Sequence, residues 1–124
     1  MAARVADSVI DNGLSSLKSA ARYIYINSTE PTTYTEASST YKLGTKDLGA
    51  GSVFPAAIAA GTNGRKVTTA AVTDGTVDAN GTAAYWSITD ASALLANGSL
   101  SASQAVTSGN TWSLAAFDIT IKYQ

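Results

Sequence analysis

The side chains of this chain able to do acid–base chemistry are two glutamates, seven aspartates, eight Lys and Arg cations and six tyrosines; histidine and cysteine are absent. The commonest general base and the most nucleophilic side chain are therefore both missing. No serine stands in a Gly-x-Ser-x-Gly elbow, and none has a histidine to activate it. Asp7 and Asp11 lie four apart at a predicted helix start, where they read as a solvated face favoured by the helix dipole. Zinc needs Cys and His. Asp74, Asp78 and Asn80 offer oxygens to a hard cation, yet they lack the spacing and closing Glu of a calcium loop. Hairpin-turn chemistry accounts for them. Residues 61–65, Gly-Thr-Asn-Gly-Arg, lack the Gly-Lys-Ser/Thr ending of a phosphate loop. The reading is a non-enzymatic chain with no catalytic, metal or cofactor site.

Charge narrows the partners. The formal net charge is −1, and the densest basic pair is Arg65-Lys66. Neutralising several phosphates takes clustered cations, so nucleic acid is not an expected partner. No basic amphipathic segment suits an anionic membrane surface, and no run of about 18 apolar residues suits a bilayer. The first residues lack an apolar signal core, so folding in the cytosol is expected. With 23 alanines, 15 serines and 16 threonines against two Phe and two Trp, the core is built largely of small side chains. Each buries little area at about 25 cal/mol per Å². That favours a protein completed by its neighbours.

The elements expected around these residues form a single domain over 1–124. Over residues 6–21, Val9, Ile10, Leu14 and Leu17 recur at helical spacing. Asp7 or Ser8 would cap its start and Lys18 suits its end. Residues 22–27, Arg-Tyr-Ile-Tyr-Ile-Asn, read as a strand with both faces covered. Its tyrosines, Tyr23 and Tyr25, are candidate interface residues, because aromatic side chains are enriched there. Thr33 and Glu36 have capping-box spacing. The Gly/Ala-rich stretch 48–63 carries no regular pattern and is too apolar for a free loop. It reads as an extended arm packing on a neighbour, with Val53, Phe54, Pro55 and Ile58 as candidate contacts.

Residues 64–124 read as a β-meander, with strands over 65–73, 82–89, 93–100 and 111–123. Turns are expected at Asp74-Gly75, Asn80-Gly81 and 108–110, with Asn97-Gly98 an alternative break. In the last strand the apolar face switches near Ala116-Phe117, which a bulge or a bend between packed sheets would produce. The fold class is mainly β: an antiparallel sandwich or small barrel with an N-terminal helix and a long Gly/Ala-rich arm or loop.

The runs SVIDNGLSSL, INSTEPTTYTEASSTYKLG, TNGRKVTTAAVTDGTV and LSASQAVTSGNTWSLAAFDITI resemble small structural proteins of tailed-bacteriophage virions. The resemblance spans most of the chain from Val5 to Ile121. It implies a virion component assembled in the host bacterial cytoplasm. Foremost is a capsid decoration (cement) protein that stabilises joints between major capsid subunits, as a homo-oligomer, a trimer first. A neck, tail or fibre part is the alternative within the virion. A carbohydrate-binding β-sandwich module, with Trp86 or Trp112 stacking on sugar, is the alternative outside it, although both sit in apolar strand patterns.

EDTA is expected to leave the thermal midpoint unchanged. A drop of several degrees restored by calcium would show that Asp74, Asp78 and Asn80 hold a cation, because native-state binding alone stabilises by RT ln(1 + [L]/Kd).

Overall fold

The computed structural model describes residues 3–123. Helix α1 (Asp7–Ala20) turns Ile10 and Leu14 into the interior and leaves Val9 outside. Ala6 occupies its N-cap and makes no side-chain bond, so the cap expected from Asp7 or Ser8 does not form; Lys18 does lie in the last turn. The strands follow as β1 (Tyr23–Asn27), β2 (Lys42–Asp47), β3 (Ala59–Gly61), β4 (Gly64–Thr68), β5 (Val72–Val77), β6 (Gly81–Thr89), β7 (Leu94–Val106), β8 (Thr111–Leu114) and β9 (Asp118–Lys122). Six of them form an antiparallel sheet in the order β7-β6-β1-β2-β5-β8, and three form a second sheet, β3-β4-β9. The large sheet curls into a half-barrel, within the sandwich-or-barrel class that the sequence pattern indicates.

Strand β1 is central because both its faces are covered. Ile24 and Ile26 enter the core on one side. On the other, residues 28–41 lie across the sheet, with Pro31 and Ala37 buried. Asn27 holds this strap: its Nδ2 donates to the Ala37 carbonyl at 2.9 Å, and its Oδ1 accepts from Ser87 Oγ at 2.7 Å. Buried polar groups persist where they are satisfied in this way. The strap contains a π-helical turn, Glu36–Thr40, whose entry uses Thr33 as expected: the Glu36 N–H donates to Thr33 Oγ1 at 3.1 Å. The Glu36 carboxylate reaches one residue further back than a capping box does, accepting from both the N–H and the hydroxyl of Thr32 at 2.8 Å.

Two glycine-dependent contacts set the curl. The Trp112 indole lies against Gly44 and Gly75, where any added Cβ would collide with it, and its Nε1–H donates to the Thr76 carbonyl at 3.0 Å. Trp86 lies over Gly98 in the same manner. These contacts correct two turn assignments. Asp74-Gly75 sits inside β5 at a register shift, and Asn97-Gly98 sits inside β7. Their glycines make room for indoles, not for turns. The expected turn at 108–110 does form, with Gly109 at φ +90°.

The face switch at Ala116-Phe117 is a change of sheet. Strand β8 ends in the large sheet at Leu114, and β9 begins in the small one at Asp118. Thr69 and Phe117 join the two layers: the Thr69 N–H donates to the Phe117 carbonyl at 2.9 Å, and the Phe117 N–H to Thr69 Oγ1 at 3.1 Å.

The stretch 48–63 is not an arm. Gly49 and Gly51 adopt φ +84° and +82° and fold the chain back. The Gly51 N–H donates to the Ala21 carbonyl at 3.2 Å, and the Val53 carbonyl accepts from the Ala70 N–H at 2.7 Å. Val53 and Phe54 are 0% exposed and belong to the chain's own core. The flanking glycines, read as looseness, are the turns that bury the pair.

Phe54→Ala is therefore expected to cost roughly 3–5 kcal/mol in urea unfolding, and Pro55→Ala, at an exposed position, within about 0.5 kcal/mol. Small losses for both would place Phe54 outside the core.

Candidate functional site

The sheet order leaves β7 and β8 as the two edges of the curled sheet. They are consecutive in the chain yet do not pair with each other. Their connecting turn is tied elsewhere: the Gly109 N–H donates to the Val77 carbonyl at 3.0 Å, the Asn110 carbonyl accepts from the Val77 N–H at 2.9 Å, and Asn80 Oδ1 accepts from the Ser108 N–H at 2.7 Å. These bonds hold the turn to the end of β5, so the two edges diverge from it and leave a slot.

Three adjoining cavities follow that slot. One of about 330 Å³ lies nearest the turn, between Gln104–Val106 and Asn110–Trp112 in the two edges. The next, about 230 Å³, reaches Ile26, Ala83 and Trp112 on its floor, with Leu100 and Leu114 as walls. The third, about 420 Å³, lies between Leu100 and Ala116, with Trp86 and Phe117 beneath. Trp86 and Phe117 pack ring to ring at 4.5 Å between centroids.

The two edges of the slot are neutral. No charged residue stands between Asp90 and Asp118, a stretch that includes both edge strands and the turn. Asp118 lines the third cavity and accepts there from Thr68 Oγ1 at 2.6 Å and from Lys66 Nζ at 3.1 Å. Such a lining offers backbone hydrogen bonds, small apolar contacts and the hydroxyls of Ser99, Ser101 and Ser113, with the Asp118 carboxylate at one end.

The candidate residues named from sequence do not gather here. Tyr23 and Tyr25 stack at 5.9 Å on the opposite face of the sheet; Tyr25 is 5% exposed, and burial raises its phenol above the ordinary range. Tyr25, Val53 and Phe54 have almost no surface left to give a partner, which corrects their assignment as contacts. Tyr23 and Ile58 are half-buried and Pro55 is exposed, but they sit apart from the slot. The slot itself was missed. Its signal was present as the uncharged run, which reads as an ordinary meander until both edges are seen to be free.

Of the carboxylates considered for chemistry, Asp11, Asp74 and Asp78 are committed to structure. Asp11 holds Arg65 through two bonds at 2.9 and 3.2 Å, joining α1 to β4. Asp74 pairs with Lys46 at 3.0 Å, and Asp78 accepts from Thr45 Oγ1 at 2.7 Å. Among the described residues no three His, Cys, Asp or Glu side chains converge on one point. Comparison with protein families, curated proteins and solved structures finds no match to this chain. What the fold and slot define is a class: an antiparallel half-barrel with two neutral, unpaired edges.

Four carboxylates have lowered pKa values. Backbone N–H groups act first on Glu36 (from Thr32) and Asp90 (from Ser92); side-chain bonds act first on Asp47 (from Arg22) and Asp118 (from Thr68). Each stays ionised in the folded state at a pH where the unfolded chain takes up a proton. Stability is therefore present above the ordinary carboxylate range and lost as pH falls through the folded values. The thermal midpoint is expected to fall below about pH 4 and to stay flat from about pH 6 to 8, where no histidine titrates. A midpoint rising on acidification would contradict these assignments.

Proposed function

We propose that this chain is a non-enzymatic structural protein that works by joining its open sheet edges to other protein subunits. The observation that carries the proposal is the slot between β7 and β8, whose edges are unpaired, free of charge and free of proline. Natural sheets blunt their edges with lysine, proline, bulges or a covering element. An edge lacking the first two suits a sheet that is completed on assembly.

The kind of assembly follows from the sequence resemblance. The chain is read as a component of a tailed-phage virion, foremost a decoration protein bridging major capsid subunits. Abundant Ala, Ser and Thr and a low charged fraction agree with a surface covered in use. The two tryptophans favour this reading over a carbohydrate-binding module: Trp112 is 6% exposed and Trp86 is packed on Phe117, so neither offers a flat sugar platform.

Purified protein is expected to co-sediment with heads of the phage that encodes it, and mass spectrometry of washed virions to find it in fixed proportion to the capsid protein. Recovery only in the unbound fraction, with no trace in virions, would defeat the structural role.

A further inference from the structure

We propose that β7 pairs antiparallel with β7 of a second copy of this chain, around a two-fold axis passing near Ser103. The proposal rests on the assembly reading above and names its strand and its first partner.

Strand β7 is incompletely paired even within its own sheet. Its register with β6 runs as far as Tyr85↔Ser99 and resumes at Ala83↔Gln104, so residues 100–103 have no partner there. Residues 101–105 are strand residues and all are exposed. The backbone groups of residues 101–103, which β6 does not engage, are available to a strand added from outside. Proline and lysine are absent from β7. The one edge guard is the register irregularity, which twists the strand and opposes open-ended stacking.

Neutrality selects the occupant. In a two-fold contact the same patch meets itself, so a charge near the axis opposes its own copy across the strands, which is destabilising. A foreign strand sets no such condition, since its charges can complement those it meets. The whole stretch between Asp90 and Asp118 meets the stricter condition.

The local sequence fits its own reverse. With the axis at Ser103, Leu100 faces Val106 of the second copy, Ser101 faces Ala105, and Ala102 faces Gln104. Apolar side chains meet at both ends, and around the axis stand Ser, Ala and the uncharged Gln104. Leu100 and Val106 both line the slot and pack against the core, so pairing would extend the apolar lining of the half-barrel across the joint.

The absence of cysteine makes the test direct. Opposed Cα atoms in an antiparallel pair lie about 4.5–5.5 Å apart, within disulfide reach. Under mild oxidation of the full chain, Ser103→Cys is expected to form a covalent dimer at least several-fold faster than Ala56→Cys, which lies in an exposed loop. Sedimentation equilibrium is expected to give a dimer for the wild type and a monomer for Ser103→Lys, with circular dichroism showing that the variant is folded. A wild type monomeric at every concentration, or equal crosslinking of the two cysteine variants, overturns the pairing. So does a trimer in which Ser103→Cys fails to join its own copy, because β7 would then meet β8 of the next chain. A monomer that captures an extended segment of another virion protein overturns it as well. A monomeric wild type that still sediments with heads removes the two-fold pairing and leaves the structural role. A dimer absent from virions does the reverse.

Discussion

The contact of Trp112 with Gly44 and Gly75 is the constraint on which the shape of the molecule turns. In a chain with two tryptophans and two phenylalanines, few side chains can fill the inside of a curved sheet. Trp112 does so from an edge strand by lying across β5 and β2, and its Nε1–H is satisfied by the Thr76 carbonyl. The indole fits because glycines on two neighbouring strands leave its place empty. With a Cβ at either position, Trp112 would have to swing outward and the sheet would lose the filling that supports its curl. Trp86 over Gly98 repeats the arrangement near the other edge, and Phe117 closes the space between the sheets.

That packing explains why the slot is apolar at its floor and polar only at its rims. The same indole that fills the half-barrel lines the slot along one side, together with Ile26 and Ala83. Charge is kept elsewhere. Arg22–Asp47, Lys42–Asp78, Lys46–Asp74, Arg65–Asp11 and Lys66–Asp118 lie on α1, β2, β4 and the segments beside them. Solvent screens pairs as exposed as these, and each adds little to stability. Their location matters more than their strength: apart from Asp118 at one end of the slot, these groups stand on other elements, and the edge strands carry no charge.

What the sequence discloses follows periodicity, and what it conceals follows the glycines. Helix α1, β1 and the change of sheet after Leu114 each rest on several apolar residues in step with one element, and all can be read before the fold is seen. Glycine has no such signature. Asp74-Gly75 and Asn97-Gly98 look like hairpin turns because the same residue types supply positive φ. Here the glycines supply absence of a side chain beneath an indole, and that depends on residues tens of positions away. Gly49 and Gly51 mislead in the opposite sense. They do turn the chain, and by turning it they bury Val53 and Phe54, which a local reading leaves exposed. The slot escaped for a related reason: an edge is a property of strand order, and no single segment records it.

The open edge is built rather than left over. A four-residue link between β7 and β8 is long enough for a hairpin, and such a hairpin would close the half-barrel within the chain. The link is instead bonded to Val77 and Asn80 at the end of β5, and Asn80 contributes its side chain to that attachment. Strand β7 is also longer than the strand it pairs with, 13 residues against nine in β6. Most of the surplus is the run 100–103, which has no partner in β6. Internal closure would leave them no function in the sheet, whereas an added strand would use their free N–H and C=O groups. Each strand added there would bring main-chain bonds and apolar cover together.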